Sequence, residues 1–265
     1  MSNSVGATGM RPLCSNSASD MHATQQPDKR TSDVMEPCHP DPTKASPFLE
    51  ELALPHPVSA LIARIETTLP ALRGHGYRTS VYAEALGRAC GFSETALFHL
   101  RQAAYLHDIG LTCIPSSILR HPGPLSGDDY AIAQSHPRHA VTLLAPWPSL
   151  RLPAIWIAHH HERWDGAGYP FGLRGDLIPV ESRIIAIADA FDQLCIQLHC
   201  AQASDRSLAL RLLRTSAHSQ FDPQLLDQFC RLPHPILVPV DGLSLGMLFM
   251  GAGKRLTENF IRIWL

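Results

Sequence analysis

The sequence predicts an all-α fold: a helical bundle over residues 48–233, set between a disordered tail (1–47) and a short C-terminal extension of uncertain structure (234–265). Two patterns carry that prediction. From Pro57 to about residue 231, apolar side chains recur at three- and four-residue spacing, as they do on amphipathic helices. The intervals between these runs hold Gly, Pro and Ser, residues that stop or cap helices. A third observation concerns chemistry. Of the chain's 15 histidines, many crowd between His75 and His161, which raises the question whether they converge.

The elements follow in order. Residues 1–47 mix Ser, Thr, Asp, Asn, Pro, Gln and Lys with few large apolar side chains, too little burial to offset the entropy of ordering them. Pro57–Ile65 and Tyr77–Cys90 read as helices, the second closed by Gly91, and Ser93 caps a third over Glu94–His107. Ser126, with Asp129 three positions on, opens a helix expected to continue to about Leu144, where Pro146 and Pro148 stop it. Leu152–His160 is a short helix, and Arg163–Pro179 is a Gly- and Pro-rich loop. Val180–Leu198 is a long helix with Ile184, Ile185, Ala188, Phe191 and Leu194 on its buried side. Helices near 205–217 and 223–231 complete the bundle. Past Pro235 the apolar segments look strand-like or irregular.

Composition narrows the function. The 22 Lys+Arg against 24 Asp+Glu give a formal charge of -2, so there is no general basic field for DNA or RNA. No run of about 18 apolar residues and no secretory h-region appear, so a soluble cytoplasmic protein without a membrane segment is expected. The 7 cysteines are scattered without CxxC spacing, which argues against a disulfide framework or a thiolate zinc site.

His107 and Asp108 end a helix just before Gly110, where adjacent side chains that would diverge by about 100° on a regular helix can turn toward one ion. Imidazole and carboxylate suit Fe, Mn and Zn, although a hydrogen-bonded helix-end pair is the plainer alternative. His75, His136 and the triplet His159-His160-His161 add nitrogen donors. Asp189 lies in an apolar stretch where an unpaired carboxylate is expensive. Asp189 and Asp192, three residues apart, could also form an exposed acidic stripe or a salt bridge to Arg183.

The strings His107-Asp108-Ile-Gly, Ile114-Pro115, His136-Pro137, His160-His161-Glu162-Arg163-Trp164-Asp165-Gly166-Ala167-Gly168-Tyr169-Pro170, Arg183-Ile184, Ala188-Asp189 and Asp192 resemble an HD-GYP domain over about 57–233. The resemblance implies an all-helical HD phosphohydrolase bundle. It implies two divalent ions, Fe or Mn, held by His75, His107, Asp108, His136, His160, His161 and Asp189, with Asp108 bridging and His159 spare. A third ion is not implied, because Ala71 stands where the family has a glutamate. The implied activity is hydrolysis of cyclic di-GMP to pGpG or GMP, with Asp108 and His107 as catalytic residues and Tyr169 and Arg183 as substrate-binding ones. Implied partners are a diguanylate cyclase or response regulator at the GYP loop. Two departures stand out: Leu111 replaces the lysine of HDxGK, and Gln197-Leu-His-Cys replaces an arginine-rich segment. A catalytically weak or inactive domain that binds cyclic di-GMP or a protein is therefore the alternative. If Leu111 faces substrate, Leu111→Lys should improve hydrolysis; if it packs in the core, the same change should destabilise the fold.

Overall fold

The computed structural model describes residues 50–198, 200 and 203–233; the expected tail and C-terminal extension lie outside them. The helices are α1 (His56–Thr68), α2 (His75–Ala89), α3 (Glu94–Leu106), α4 (Ser116–Leu119), α5 (Gly127–Ala133), α6 (His136–Leu144), α7 (Arg151–Ala158), α8 (Val180–Gln197), α9 (Ala203–Thr215) and α10 (Pro223–Cys230). A 3-10 turn, Ile109–Cys113, follows α3. Among the described residues there is no β-strand beyond one isolated bridge, Ala217 to Phe221.

Local chemistry sets the boundaries. Gly91 takes φ +79, and the bonds from Phe92 N to Gly87 O and from Gly91 N to Arg88 O (both 3.0 Å) close α2 as a Schellman cap. Ser93 Oγ then accepts from Ala96 N to open α3. Ser126 Oγ accepts from Asp129 N and donates to the Asp129 carboxylate, so the expected start of α5 is correct.

The expected single helix from Ser126 to Leu144 is instead two, α5 and α6, broken at Gln134 and Ser135. Pro137 is the cause. It has no N–H to donate, and its ring conflicts with a helical carbonyl four residues back, at Ala133. That carbonyl receives a different proton, from His136 Nδ1 at 2.9 Å.

The core is continuous through α2, α3, α7 and α8. Tyr82 of α2 meets Phe191 of α8 edge-on, and Phe191 meets Phe229 of α10, both with ring centroids 5.2 Å apart. Aromatic pairs in this geometry contribute about 0.5–1.5 kcal/mol beyond their buried area. Two close backbone approaches position the elements described next. A Cβ on Gly110 would lie 1.9 Å from His136 O, so the 3-10 turn sits directly against the start of α6. A Cβ on Gly76 would lie 2.6 Å from Tyr105 O, so α2 also runs close against the end of α3. Among the described residues, no helix is long and apolar enough to cross a membrane.

Candidate metal centre

Helix ends supply most of this site. The last carbonyls of a helix have no partner within it and need a donor. His107 Nδ1 donates to Ala104 O (2.8 Å), His136 Nδ1 to Ala133 O (2.9 Å) and His160 Nδ1 to Ile157 O (2.6 Å), each to the carbonyl three residues back. A carbonyl only accepts, so Nδ1 carries the hydrogen in all three, and Nε2 is the atom turned inward. His75, the first residue of α2, is oriented differently: its Nδ1 donates to Asp192 Oδ2 on α8 at 2.7 Å.

These Nε2 atoms converge with two carboxylates. His75, His107 and Asp189 form one buried group, His136, His160 and His161 another, and His107, Asp108 and His160 a third; within each, one ligand atom per residue lies within 4.8 Å of the others. His75 Nε2 is 3.2 Å from His107 Nε2 and 3.1 Å from Asp189 Oδ1. Asp108 lies between the groups: Oδ2 is 3.5 Å from His107 Nε2, and Oδ1 is 3.9 Å from His136 Nε2. Both Asp108 oxygens are buried and lack a hydrogen-bond partner. A buried carboxylate in that state costs several kcal/mol unless a cation compensates it.

Protonation fits the same reading. Burial pushes His136 down to about 3 and holds His160 and His161 well below the ordinary imidazole value, so all three stay in the neutral, lone-pair form at pH 7. Burial also raises Asp108 to about 6, against the opposing charges of His107 and His75. For His75, burial would lower the value, but the hydrogen bonds and charges of Asp189 and Asp192 outweigh it and raise it to about 10. Nitrogen and oxygen donors buried at this density suit a divalent metal.

All seven residues expected as ligands are brought together. His159 is not: its Nδ1 donates to Ile155 O (2.7 Å) and its ring lies against Phe171. Tyr169 stacks on His161, centroids 4.8 Å apart and planes 21° apart. Arg183, expected to bind substrate, donates through Nη1 to Asp222 Oδ2 (2.7 Å) and Asp176 Oδ1 (3.0 Å), and its guanidinium covers Trp164. Those partners tie the loop to the start of α10, where Asp222 caps the helix. Asp192 is neither exposed nor paired with Arg183. It is fully buried, and Arg78 grips it with Nε to Oδ1 (2.7 Å) and Nη2 to Oδ2 (3.0 Å).

Two contributors escaped sequence reasoning. Arg78 follows His75 by three residues just as Asp192 follows Asp189, so facing helices α2 and α8 carry matched pairs; that spacing was the available signal. Glu162 is buried, and its two oxygens accept from Phe171 N (2.7 Å) and Leu173 N (2.9 Å). It thereby folds the 162–173 loop back over the histidines, and Tyr169 N reaches His161 O at 3.2 Å. Gly168 permits this, since a Cβ there would lie 2.3 Å from Arg163 N.

A helical bundle whose helix ends converge on buried imidazoles and carboxylates is compatible with divalent-metal binding. The chain belongs to the HD domain family, whose profile matches residues 59–225, and the HD-GYP assignment fits. It is 31% identical over 204 residues to 3'3'-cGAMP-specific phosphodiesterase 3 of Vibrio cholerae, covering 73% of this chain and 44% of that protein. It is 37% identical over 156 residues to the cyclic di-GMP phosphodiesterase response regulator RpfG of Xanthomonas campestris, covering 58% of this chain and 41% of that protein. The chain thus spans less than half the length of either relative. A crystal structure of a cyclic GMP-AMP specific phosphodiesterase of Vibrio cholerae has the same fold, with a TM-score of 0.53 at 19% identity over 81% of this chain and 59% of that one.

Proposed function

We propose that this chain is a metal-dependent phosphodiesterase that hydrolyses cyclic di-GMP to pGpG or GMP in bacterial second-messenger signalling. The observation that carries the reading is Asp108, a buried carboxylate with both oxygens lacking hydrogen bonds, set between two groups of histidines. The relatives' names supply the substrate class.

In this reading His75, His107 and Asp189 would hold one divalent ion and His136, His160 and His161 a second, with Asp108 as the carboxylate the two would share; Fe or Mn would suit the donors. Such ions, when bound, would supply Lewis-acid activation of water and charge neutralisation at the phosphate. The protein's part is to aim the imidazoles and to keep those of His136, His160 and His161 neutral. Two ligand carboxylates against two divalent ions leave a net charge of about +2, which attracts a phosphodiester anion. Tyr169, fixed on His161, forms one wall of the substrate groove, and the GYP loop is the surface for a diguanylate cyclase or response regulator.

The second reading, a domain that binds without turnover, draws on one observation: Leu111 occupies the lysine position and is 2% exposed within the core, so no cation reaches substrate from there. One experiment separates the two. Protein purified anaerobically with iron and manganese supplied is assayed for metal content, then incubated with cyclic di-GMP and 3'3'-cGAMP, and the products are resolved by chromatography. Linear dinucleotide or mononucleotide supports the enzyme; bound but uncleaved nucleotide supports the binding domain.

A further inference from the structure

A cleft of about 350 Å³ opens beside the 3-10 turn, lined among others by Arg64, Thr68, Leu69, Leu111, Thr112 and Ser116. Its place in the fold is informative. Leu111 N donates to Asp108 O at 2.9 Å, and in a 3-10 turn side chains three apart eclipse one another. The wall formed by Leu111 therefore adjoins the residue proposed to bridge the metals. No carboxylate lines the cleft. Arg64 of α1 is exposed and pairs with no acid among the described residues. A second guanidinium, Arg120, donates to the carbonyl of the lining residue Thr68 through Nε (3.2 Å) and Nη2 (2.9 Å), and among the described residues Arg64 is the one charged side chain of the lining. The inner wall is apolar, formed by Leu69, Leu111 and their neighbours Ile65, Ile114 and Leu119.

A cation at the mouth, hydroxyls on the wall and an apolar floor match a nucleotide, whose phosphate carries the charge and whose base is flat and apolar on its faces. The volume is at the small end of ligand pockets, room for one nucleotide and not for two. We propose that this cleft seats the non-reacting half of the cyclic dinucleotide, with Arg64 gripping its phosphodiester in place of the contact that Leu111 cannot make. The inference rests on the phosphodiesterase reading and deepens it by naming a specificity-determining residue. A guanidinium can bind phosphate through two parallel N–H groups, so the helix-borne arginine is a sound substitute for a loop lysine.

The test uses the full chain with its metals and the variants Arg64→Gln and Arg64→Lys. Contact with a part of the substrate that does not react is made equally in ground and transition states, so its loss moves KM and leaves kcat in place. Arg64→Gln should raise KM for cyclic di-GMP about tenfold, with kcat unchanged, and Arg64→Lys should fall between it and wild type. If the chain binds without turnover, the same tenfold appears in the Kd measured by calorimetry. Metal content and melting temperature should match wild type, because Arg64 is exposed and is not one of the ligand residues. Unchanged KM and Kd in Arg64→Gln, with wild-type turnover present, overturn the cleft assignment and leave the phosphodiesterase reading standing. Lower kcat at unchanged KM also overturns it. A wild-type chain that neither binds nor cleaves cyclic di-GMP or 3'3'-cGAMP overturns that reading, and the cleft's ligand with it.

Discussion

Replacing Asp192 by Asn tests how the first ligand is held. The carboxylate is fully buried, accepts two hydrogen bonds from Arg78, itself 7% exposed, and a third from His75 Nδ1. Asn preserves the shape and removes the charge, leaving a buried guanidinium opposite a neutral amide. Removing one member of a buried ion pair costs about 3–5 kcal/mol. With a urea m-value of about 2 kcal/mol/M, the unfolding midpoint should fall by about 2 M, a large part of the stability of an ordinary domain. Because Asp192 also fixes the His75 tautomer, metal affinity should drop by about ten- to a hundredfold. The control is Asp227→Asn, which breaks an exposed pair with Arg231 and should leave the midpoint in place. Acid provides a further check. Burial would raise the Asp192 carboxyl, but the Arg78 charge and the His75 hydrogen bond outweigh it and hold the carboxyl below its ordinary value. A lowered folded value means the contribution is present above pH of about 4 and is lost as pH falls below it, so the variant should show a shallower acid transition than wild type. An Asp192→Asn protein with wild-type urea midpoint and metal content would refute this account of how His75 is positioned.

Asp108→Ala should reduce metal content more than any other single ligand change, since it removes the carboxylate between both groups; full content by elemental analysis would reject the bridge. His159→Ala should keep its metal while His160→Ala loses it, and equal losses would mean that the ligand register is wrong. Leu111→Lys should lower stability by about 2 kcal/mol, the worth of one buried leucine, read as a lower urea midpoint; unchanged stability with faster hydrolysis would show that the wall at position 111 accommodates a cation and presents it to substrate. Gly110→Ala should force α6 away from the 3-10 turn, because the added carbon meets backbone at His136, and should be seen as joint loss of stability and metal.

Much of the bundle was legible because helix periodicity and capping residues act locally. Ser93, Gly91 and Ser126 each signal a boundary through atoms within a few residues. The break at Gln134 follows from Pro137, which the capping signal at Ser126 and the stop at Pro146 and Pro148 do not report. The seven converging side chains were legible through family resemblance and not through spacing, since five separated segments come together only in three dimensions. The partner of Asp192 was left open for a related reason. Whether an aspartate on an apolar helix meets Arg78 or Arg183 depends on which helix packs beside it, and nothing local states that.

The carbonyl three residues before each of His107, His136 and His160 both satisfies a helix end and aims an imidazole. Direction is thus encoded within four consecutive residues, while distance is left to the packing of helices. A connector such as 120–126 could lengthen or shorten without rotating any of these rings. Cutting the chain between α5 and α6 would be far more damaging, since it would separate His136 from the carbonyl that steers it. The centre is built from short self-aiming pieces, and its tolerance of change should be read segment by segment along the chain.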